Sequence, residues 1–248
     1  MSSSPDAIRQ HYDSHLAPIY TWMVGDVDAA LQRNRDLFAA AGLEAGAHGI
    51  AVDLGCGFGL QAIPLAELGH DVVALDLCAG LLAELRVRAG ALPVRAAQAD
   101  LLEFPRHLTA PADVIVCMGD TLPHLPTTAE VDELLHLAAA NLAPGGLLAL
   151  TFRDYVGNEL KGAQRFIPVR NDAERVLTCF LEYGDGFVDV HDLVHSRTPE
   201  GWKQSVSSYR KLRLDRFAVA ANLAAEGLDV VRNDVERGLV TILARRNR

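Results

Sequence analysis

The order of apolar and polar positions divides the chain into helical and strand-like stretches. Residues 7–23 and 27–42 carry apolar side chains at mixed spacings of three and four, which predicts two amphipathic helices. From residue 49 onward, short Val, Ile and Leu runs such as GIAVDL, DVVALDL and ADVIVCM alternate with helix-like stretches. Continuous apolar strands separated by amphipathic helices are typical of a parallel sheet that is covered on both faces. The pattern therefore predicts a doubly wound α/β fold with the first strand at the centre of the sheet.

The period of the pattern changes again after Phe152. Residues 174–213 alternate with a period of two around the turn sequences GDG and TPEGW, which predicts antiparallel strands in a small added sheet. A helix at 215–226 and strands at 228–233 and 238–244 are expected to close the chain. In open α/β sheets ligands bind at the carboxyl ends of the strands, so we expect a ligand there, beneath the added sheet.

Three regions follow from this organisation. Residues 1–48 are expected to form a helical lid or cap, residues 49–153 together with 214–248 a ligand-binding core, and residues 154–213 an inserted antiparallel sheet. A length of 248 residues and an apolar fraction of 50% suit one globular domain with an insertion, or two domains at most.

Composition and charge narrow the classes of function. The formal net charge of −9 disfavours a nucleic-acid partner, because phosphate backbones require a basic surface. The opening MSSSPDAIRQHYD has no charged and then apolar leader, and no apolar run reaches membrane-spanning length, so we expect a cytoplasmic protein without a membrane partner. The four cysteines form no CxxC pair and are expected to be free thiols. His191 and His195 share a strand face but lie about 13 Å apart, so no metal site is predicted.

A glycine-rich turn is the first candidate for chemistry. In the stretch AVDLGCGFGLQ, an apolar strand ends and Gly55, Gly57 and Gly59 follow where a helix should begin. Such a turn lets a ligand approach the backbone closely. A dinucleotide fingerprint, G-x-G-x-x-G, would need glycine where this chain has Leu60, so a nicotinamide oxidoreductase is disfavoured. Asp53, two residues before the first glycine, suits a ligand that carries an ammonium group; a tight turn without a ligand is the alternative.

The motifs after this turn resemble those of the class I S-adenosylmethionine-dependent methyltransferases in order and spacing. By this resemblance Asp76, at the end of DVVALDL, accepts both ribose hydroxyls, Asp100 in QADLLEF meets the adenine amine, and Leu101 lies against the adenine ring. Each acid taken alone could instead cap a helix or a turn. The resemblance implies a Rossmann-like, mostly parallel seven-stranded sheet, with S-adenosyl-L-methionine as cofactor and S-adenosyl-L-homocysteine as product. The cofactor-binding residues that it implies are Tyr20, Asp53, Gly55, Cys56, Gly57, Asp76, Leu77, Asp100, Leu101 and Met118.

A narrower resemblance lies outside the cofactor motifs. The stretches HYDSHLAPIYTWMVGD, VCMGDTLPHL and TFRDY are similar to segments of the glycine/sarcosine N-methyltransferase-like group, whose members also insert a small antiparallel sheet after the fifth strand. The resemblance implies that Tyr12 and Tyr20 close over the sulfonium, that His124 lines the pocket, and that Arg153 holds a substrate carboxylate.

Departures from that group bear on the acceptor. The group has asparagine where this chain has Asp120, tyrosine where it has Met23, and an arginine that finds no match near Ala30. Tyrosines of the group are replaced by Pro168 and Val169. These differences argue against glycine as the acceptor, and they leave the methionine carboxylate to the backbone N–H groups of the glycine turn.

The sequence therefore predicts a small-molecule methyltransferase that N-methylates an amino acid or another amine. Asp120 is expected to draw in the acceptor's ammonium and take its proton, facing Arg153 across one pocket that would suit a zwitterion. The alternatives are that Asp120 and Arg153 pair with each other, that Arg153 pairs with Asp154, or that Asp120 caps the turn before Thr121. O-methylation with His124 or Asp120 as base, and a non-catalytic cofactor-binding protein, are the rival functions, and the oligomeric state is not predicted.

Overall fold

The computed structural model describes residues 9–46 and 48–248, which form two β-sheets with flanking helices. Along the chain the strands are β1 (Ile50–Leu54), β2 (Asp71–Asp76), β3 (Val94–Gln98), β4 (Ala112–Cys117), β5 (Leu142–Arg153), β6 (Phe166–Asn171), β7 (Arg175–Tyr183), β8 (Phe187–Thr198), β9 (Gly201–Leu212), β10 (Leu228–Glu236) and β11 (Leu239–Arg246). The α-helices are α1 (Tyr20–Val24), α2 (Val27–Ala40), α3 (Ala62–Glu67), α4 (Ala79–Ala89), α5 (Thr128–Asn141) and α6 (Arg216–Ala225). Short helical turns occupy Tyr12–Leu16, Ala17–Ile19, Leu101–His107, Leu122–His124 and Gly162–Arg165.

The larger sheet has seven strands in the order β10-β11-β5-β4-β1-β2-β3. Strands β1 to β5 pair in parallel, whereas β11 runs antiparallel to β5 and β10 antiparallel to β11. The predicted doubly wound α/β fold is therefore confirmed, with β1 inside the sheet between β4 and β2. The strand order reverses between β1 and β4, so their carboxyl ends form the crevice in which such sheets bind ligands.

Strand β1 is buried on both faces, which explains its uninterrupted apolar sequence. Val52 and Leu54 pack into the core under helices α5 and α6, while Ala51 packs into the opposite core. That second core includes Phe38 of α2, whose side chain is fully buried. Helix α2 therefore belongs to the core and differs from the lid predicted over residues 1–48. It packs there because burial of the Phe38 side chain stabilises the folded chain.

The smaller sheet follows β5 and has the antiparallel order β6-β7-β8-β9. Alternate residues of β8 face inward, as the period of two predicts, and Val188, Val190 and Val194 are buried there. Strand β6 lies within the predicted insertion, 154–213, but before residues 174–213, whose alternation predicted the strands of this sheet. Its Pro168 interrupts the apolar pattern and sits next to a register irregularity, which an edge strand tolerates because one side needs no ladder partner.

The N-terminal segment, residues 9–24, changes its winding along its length. A π-helical turn over Tyr12–Leu16 passes into a 3-10 turn at Ala17–Ile19 and then into α1, so the regular helix predicted over 7–23 is wrong in detail. Pro18 lies at the start of the 3-10 turn, where a ring without an N–H fits. The segment ends at Gly25, whose φ of 85° allows the sharp turn into α2. None of the helices within the described ranges has the length and apolar character needed to cross a membrane.

Candidate active site

The glycine turn between β1 and α3 requires glycine for two different reasons. Gly55 has φ 74°, and a Cβ there would lie 2.3 Å from Cγ2 of Thr121, so a side chain would push away the loop after β4. Gly57 has φ 52°, and a Cβ there would point into open space. Gly55 thus allows two loops to pack closely, while Gly57 leaves the backbone on the pocket side without a side chain.

Asp76 fastens this turn to the end of β2. Its Oδ2 accepts a hydrogen bond from the N–H of Gly57 at 2.8 Å, and its Oδ1 accepts one from the N–H of Cys78 at 2.8 Å. Burial raises the pKa of Asp76, and the same backbone donors partly oppose that rise. The carboxylate is therefore held in one orientation, with lone pairs left for a ligand in the pocket that it lines.

Asp53 lies on β1 and differs from Asp76 in having no hydrogen-bonded donor that would stabilise its charged form within the described ranges. Its side chain is buried, and neither carboxylate oxygen has a hydrogen-bond partner within the described ranges. Burial raises the pKa of Asp53 to about 8, and the nearby N–H of Ala62 lowers it in part without reaching hydrogen-bond geometry. A buried carboxyl group without a partner favours a ligand that brings a donor or a positive charge.

The turn, the ends of β2 and β4, and the N-terminal segment enclose an open pocket of about 970 Å³. Every residue predicted to bind the cofactor lines this pocket except Asp53, which is buried on β1. Sequence reasoning missed Phe58 and Thr121, which carry no motif of their own and reach the pocket through the turn and the loop after β4. The predicted lining residues that the structure brings together are Tyr12, Tyr20, Gly55, Cys56, Gly57, Asp76, Leu77, Asp100, Leu101, Met118 and His124.

The donor set of the pocket fits S-adenosylmethionine. The unpartnered carboxyl of Asp53 suits an ammonium, and the fixed carboxylate of Asp76 suits a pair of hydroxyls. Asp100 also caps the turn at Leu101–His107, since its Oδ1 accepts the N–H of Leu102 at 2.9 Å. The predicted alternative for this acid, a helix cap, is thus true of one oxygen and leaves the other for a ligand. Cys56 has a raised pKa, chiefly through burial, so its thiol stays protonated.

Tyr12 and His124 form the inner end of the pocket. The hydroxyl oxygen of Tyr12 lies 3.3 Å from Nε2 of His124, and Nδ1 of His124 is buried without a hydrogen-bond partner in the described structure. Burial lowers the pKa of His124 well below its ordinary value, helped by the charge of Lys211, so the imidazole is neutral. The ring of His124 stacks on Tyr209 of β9, with centroids 5.2 Å apart. Tyr12 and His124 can therefore donate or accept hydrogen bonds, but neither carries a charge.

Asp120 does not lie where the sequence analysis placed it. It follows Gly119 in the left-handed region, with φ 71°, and its carboxylate is turned away from the pocket. Oδ1 accepts the backbone N–H of Arg153 at 2.7 Å, while Oδ2 accepts the hydroxyl of Tyr155 at 3.1 Å and the ammonium of Lys211. These bonds hold the loop after β4 in its strained conformation. The expected role of Asp120 as the acceptor's proton acceptor has no geometric support.

Arg153 likewise does not share a pocket with Asp120. Its side chain is exposed at the end of β5, and only its backbone N–H meets the Asp120 carboxylate. Sequence reasoning also missed Lys211 of β9, which is buried and pairs with Asp120. The alternation of Ser205, Ser207, Tyr209 and Lys211 could have placed these four side chains on one strand face, but not against the loop after β4.

The two histidines of β8 lie on the outer face of the inserted sheet. Nδ1 of His191 is 2.7 Å from Oγ of Ser208, and its Nε2 is 3.3 Å from Glu182. Across the described ranges, His, Cys, Asp and Glu side chains form no group of three or more that could hold a metal ion.

Comparisons with known proteins agree with this geometry. Residues 51–146 match the family model described as a methyltransferase domain. The glycine/sarcosine N-methyltransferase of Parasynechococcus marenigrum (strain WH8102) is 29% identical over 159 residues, which cover 61% of this chain and 56% of that protein. The chain thus matches little more than half the length of such curated relatives.

Solved structures resemble the chain over nearly its whole length. The CcbJ methyltransferase from Streptomyces caelestis has a TM-score of 0.77 at 21% identity, covering 96% of this chain and 98% of that chain. The sugar N-methyltransferase KedS8 from Streptoalloteichus sp ATCC 53650 has a TM-score of 0.72 at 19% identity, covering 93% of this chain and 92% of that chain. At these identities the likeness establishes the fold. Residues 51–146 therefore carry a methyltransferase domain, and the chain has the fold of S-adenosylmethionine-dependent methyltransferases of known structure.

Proposed function

We propose that the protein transfers the methyl group of S-adenosylmethionine to the nitrogen of a small-molecule amine. Two similar proteins support nitrogen, since one is named for N-methylation of glycine and sarcosine and the other for N-methylation of a sugar. The observation that carries the proposal is the state of His124, a buried imidazole with a lowered pKa at the inner end of the pocket.

A weak base at this position distinguishes amines from most hydroxyls. An aliphatic alcohol must lose its proton to become a good nucleophile, and an imidazole with a lowered pKa is a poor acceptor for that proton. A neutral amine already carries a nucleophilic lone pair and needs orientation rather than a strong base. The free Nδ1 of His124 can accept one N–H of such an amine and so fix the direction of its lone pair.

The cofactor end follows from the three acids. When bound, S-adenosylmethionine supplies a methyl group on a sulfonium that is already activated for displacement. Asp53 would hold its ammonium, Asp76 its ribose hydroxyls, and Asp100 with Leu101 its adenine. Tyr12 and Tyr20 cover the pocket from the N-terminal segment, and their ring centroids lie 6.1 Å apart. The two rings would exclude water from the methyl group, which favours transfer to the acceptor over hydrolysis.

The proposal is tested by a methyl-transfer screen with radiolabelled S-adenosylmethionine. Primary and secondary amines, including amino acids and amino sugars, are compared with alcohols, phenols, thiols and carboxylates of similar size. We expect product with amines. If phenols or carboxylates, which need no strong base either, are the best acceptors, N-methylation is wrong and O-methylation takes its place.

The role of His124 is tested separately with His124→Gln. We expect kcat to fall by about 100-fold, because the glutamine amide can take the place of Nε2 but offers no acceptor at the position of Nδ1, while the Kd of S-adenosylhomocysteine stays the same. The matched control is His136→Gln, since His136 is exposed and pairs with Glu226 far from the pocket. The rate should also show no titration near pH 6.5, because the lowered pKa keeps His124 neutral there. A limb near pH 6.5 that disappears in His124→Gln would contradict this reasoning.

A further inference from the structure

A second buried acid lies on the inner face of the inserted sheet. On β8 the inward positions are Val188, Val190, Asp192 and Val194, so one carboxylate interrupts an otherwise apolar row. Asp192 is only 2% exposed. Burying a charged group in such a row is costly unless a cation or several donors accompany it, so its surroundings decide what it does.

Of the two carboxylate oxygens of Asp192, only Oδ1 accepts a well-formed hydrogen bond from the described residues. Oδ1 accepts a hydrogen bond from the thiol of Cys179 at 2.6 Å. Oδ2 lies 3.3 Å from Nε2 of His11, but without hydrogen-bond geometry, and both atoms lack any other hydrogen-bond partner within the described ranges. The buried ammonium of the same sheet face, Lys211, is committed to Asp120. Asp192 therefore faces a position that suits a better-placed cation.

Aromatic rings stand around that position. The ring of Tyr209 lies 4.3 Å from the ring of His11, and Tyr12 meets His11 edge-on at 5.6 Å. In the sheet register, Tyr209 pairs with Val190 and Ser207 with Asp192, so the tyrosine is one inward position away from the acid. A carboxylate beside aromatic faces is the chemistry that binds ammonium groups, including methylated ones, since ring faces attract the polarised methyl groups.

This position adjoins the cofactor pocket. Tyr12 lines the pocket, and its neighbour His11 faces Asp192. These two successive residues therefore separate the pocket from the position beside the Asp192 carboxylate. Burial raises the pKa of Tyr12 most, and the charges of Tyr20, Asp76 and Asp192 add to that rise, so both Asp76 and Asp192 lie within electrostatic reach of the hydroxyl. Both residues lie on the N-terminal segment, whose π-helical turn departs from regular winding and precedes Gly25. A shift of this segment that removes His11 would join Asp192 to the pocket.

We propose that Asp192, with Tyr209 as its aromatic wall, binds the ammonium group of the methyl acceptor, and that His11 fills this position when no acceptor is bound. The inference rests on the proposed N-methylation and names its acceptor as a cationic amine whose methylated forms are also held. The acceptor's ammonium first releases one proton to solvent. The lone pair that this frees forms the N–C bond as the S–C bond breaks, and the positive charge passes from sulfur to nitrogen. Asp192 would stabilise that charge on nitrogen.

The test uses the full-length protein saturated with S-adenosylhomocysteine, and tetramethylammonium chloride as the probe. Saturation-transfer NMR compares its binding with that of tert-butanol, a neutral molecule of similar size. We expect tetramethylammonium to bind and tert-butanol not to compete with it. Asp192→Asn should weaken tetramethylammonium binding at least tenfold. The matched control is Asp189→Asn, because Asp189 lies on the outer face of the same strand and pairs with Arg210.

His11→Ala separates a competitor from a merely structural residue. If His11 occupies the ammonium position, its removal should strengthen tetramethylammonium binding; weaker binding would overturn that part. Unchanged S-adenosylhomocysteine affinity in each variant shows that the domain is folded. Failure of the unaltered complex to bind tetramethylammonium, or equal binding by Asp192→Asn, overturns the inference even if amines are methylated. If tetramethylammonium binds through Asp192 but no amine accepts methyl, the proposed function fails and the binding site remains.

Discussion

Asp53 offers the sharpest test of the cofactor site, through the substitution Asp53→Asn. The carboxyl is buried, its folded-state pKa is about 8, and the ordinary value is 3.8. An acid whose pKa is raised by folding destabilises the folded state as pH rises, because the unfolded chain releases the proton above pH 3.8 while the folded chain keeps it until about pH 8. At pH 7 the gap of about three pH units above the ordinary pKa corresponds to about 4 kcal/mol of lost stability, at about 1.4 kcal/mol per unit.

The amide that replaces the carboxyl in Asp53→Asn carries no such penalty, but it leaves its own polar atoms buried at a cost of about 1–3 kcal/mol. The net expectation for this variant is therefore a ligand-free protein that is more stable at pH 7 by about 1–3 kcal/mol, a rise in Tm of roughly 3–9 °C for a chain of this size. The gain should shrink as pH falls and reverse below the ordinary pKa of 3.8, where both folded and unfolded chains hold the proton and only the cost of the buried amide remains. Scanning calorimetry at pH 4.5, 7 and 8 measures it, with Asp71→Asn, at the exposed start of β2, as the matched control.

Cofactor binding should move in the opposite direction. If Asp53 receives the ligand's ammonium, binding of S-adenosylhomocysteine at pH 7 must ionise the carboxyl and release close to one proton. Titration calorimetry in buffers of different ionisation enthalpy measures that release, which Asp53→Asn should abolish while weakening affinity. An unaltered protein that releases no proton, or a variant whose Tm gain is the same at pH 4.5 and 8, would refute the reasoning, because the carboxyl would then be ionised already.

Two further substitutions test the role of Asp76 in the pocket and the ion pair of Lys211 with Asp120. Asp76→Ala should weaken S-adenosylhomocysteine binding by about 30- to 1000-fold, roughly 2–4 kcal/mol, because a charged acceptor for two hydroxyls is lost; an unchanged Kd in calorimetry would mean that Asp76 only holds the glycine turn. Lys211→Met should lower the free energy of unfolding by about 3–5 kcal/mol, since it leaves Asp120 buried without its cation. Adding Asp120→Asn to Lys211→Met should recover part of that loss in urea unfolding, and strictly additive effects would show that the pair is not coupled.

The pocket at the carboxyl ends of the strands could be predicted from sequence because the residues that line it follow local patterns. The glycines, Asp76 and Asp100 each follow a strand whose apolar run is legible, and parallel strands present their carboxyl ends at one edge of the sheet. The spacing of these residues therefore carries most of the geometry. Asp53 is the exception in detail: its place on β1 was predictable, but its lack of partners depends on packing that no local pattern records.

The acceptor end could not be predicted in the same way, because its partners come from distant strands. Asp120 meets Lys211 across 91 positions, and His11 meets Ser207 across 196. Alternation along β9 indicates which side chains share a face, but it does not say which loop that face covers. The prediction that Asp120 faces Arg153 assumed that neighbouring strand ends share one pocket. In the structure, Lys211 of the inserted sheet pairs with Asp120 instead.

The three buried acids of this region differ in how their charge is balanced, and that difference separates structure from binding. Asp120 has an ammonium, a hydroxyl and an N–H on its two oxygens, so its charge is matched within the chain and it serves to hold a strained loop. Among the described residues, no well-formed donor reaches either oxygen of Asp53 or Oδ2 of Asp192. A buried acid without a partner lowers the stability of the folded protein, so a cation that binds beside it stabilises the folded state. The proposed transfer would bring two such cations, the ammonium of the cofactor and the amine of the acceptor, and the chain has one unmatched acid on β1 and one on the inserted sheet.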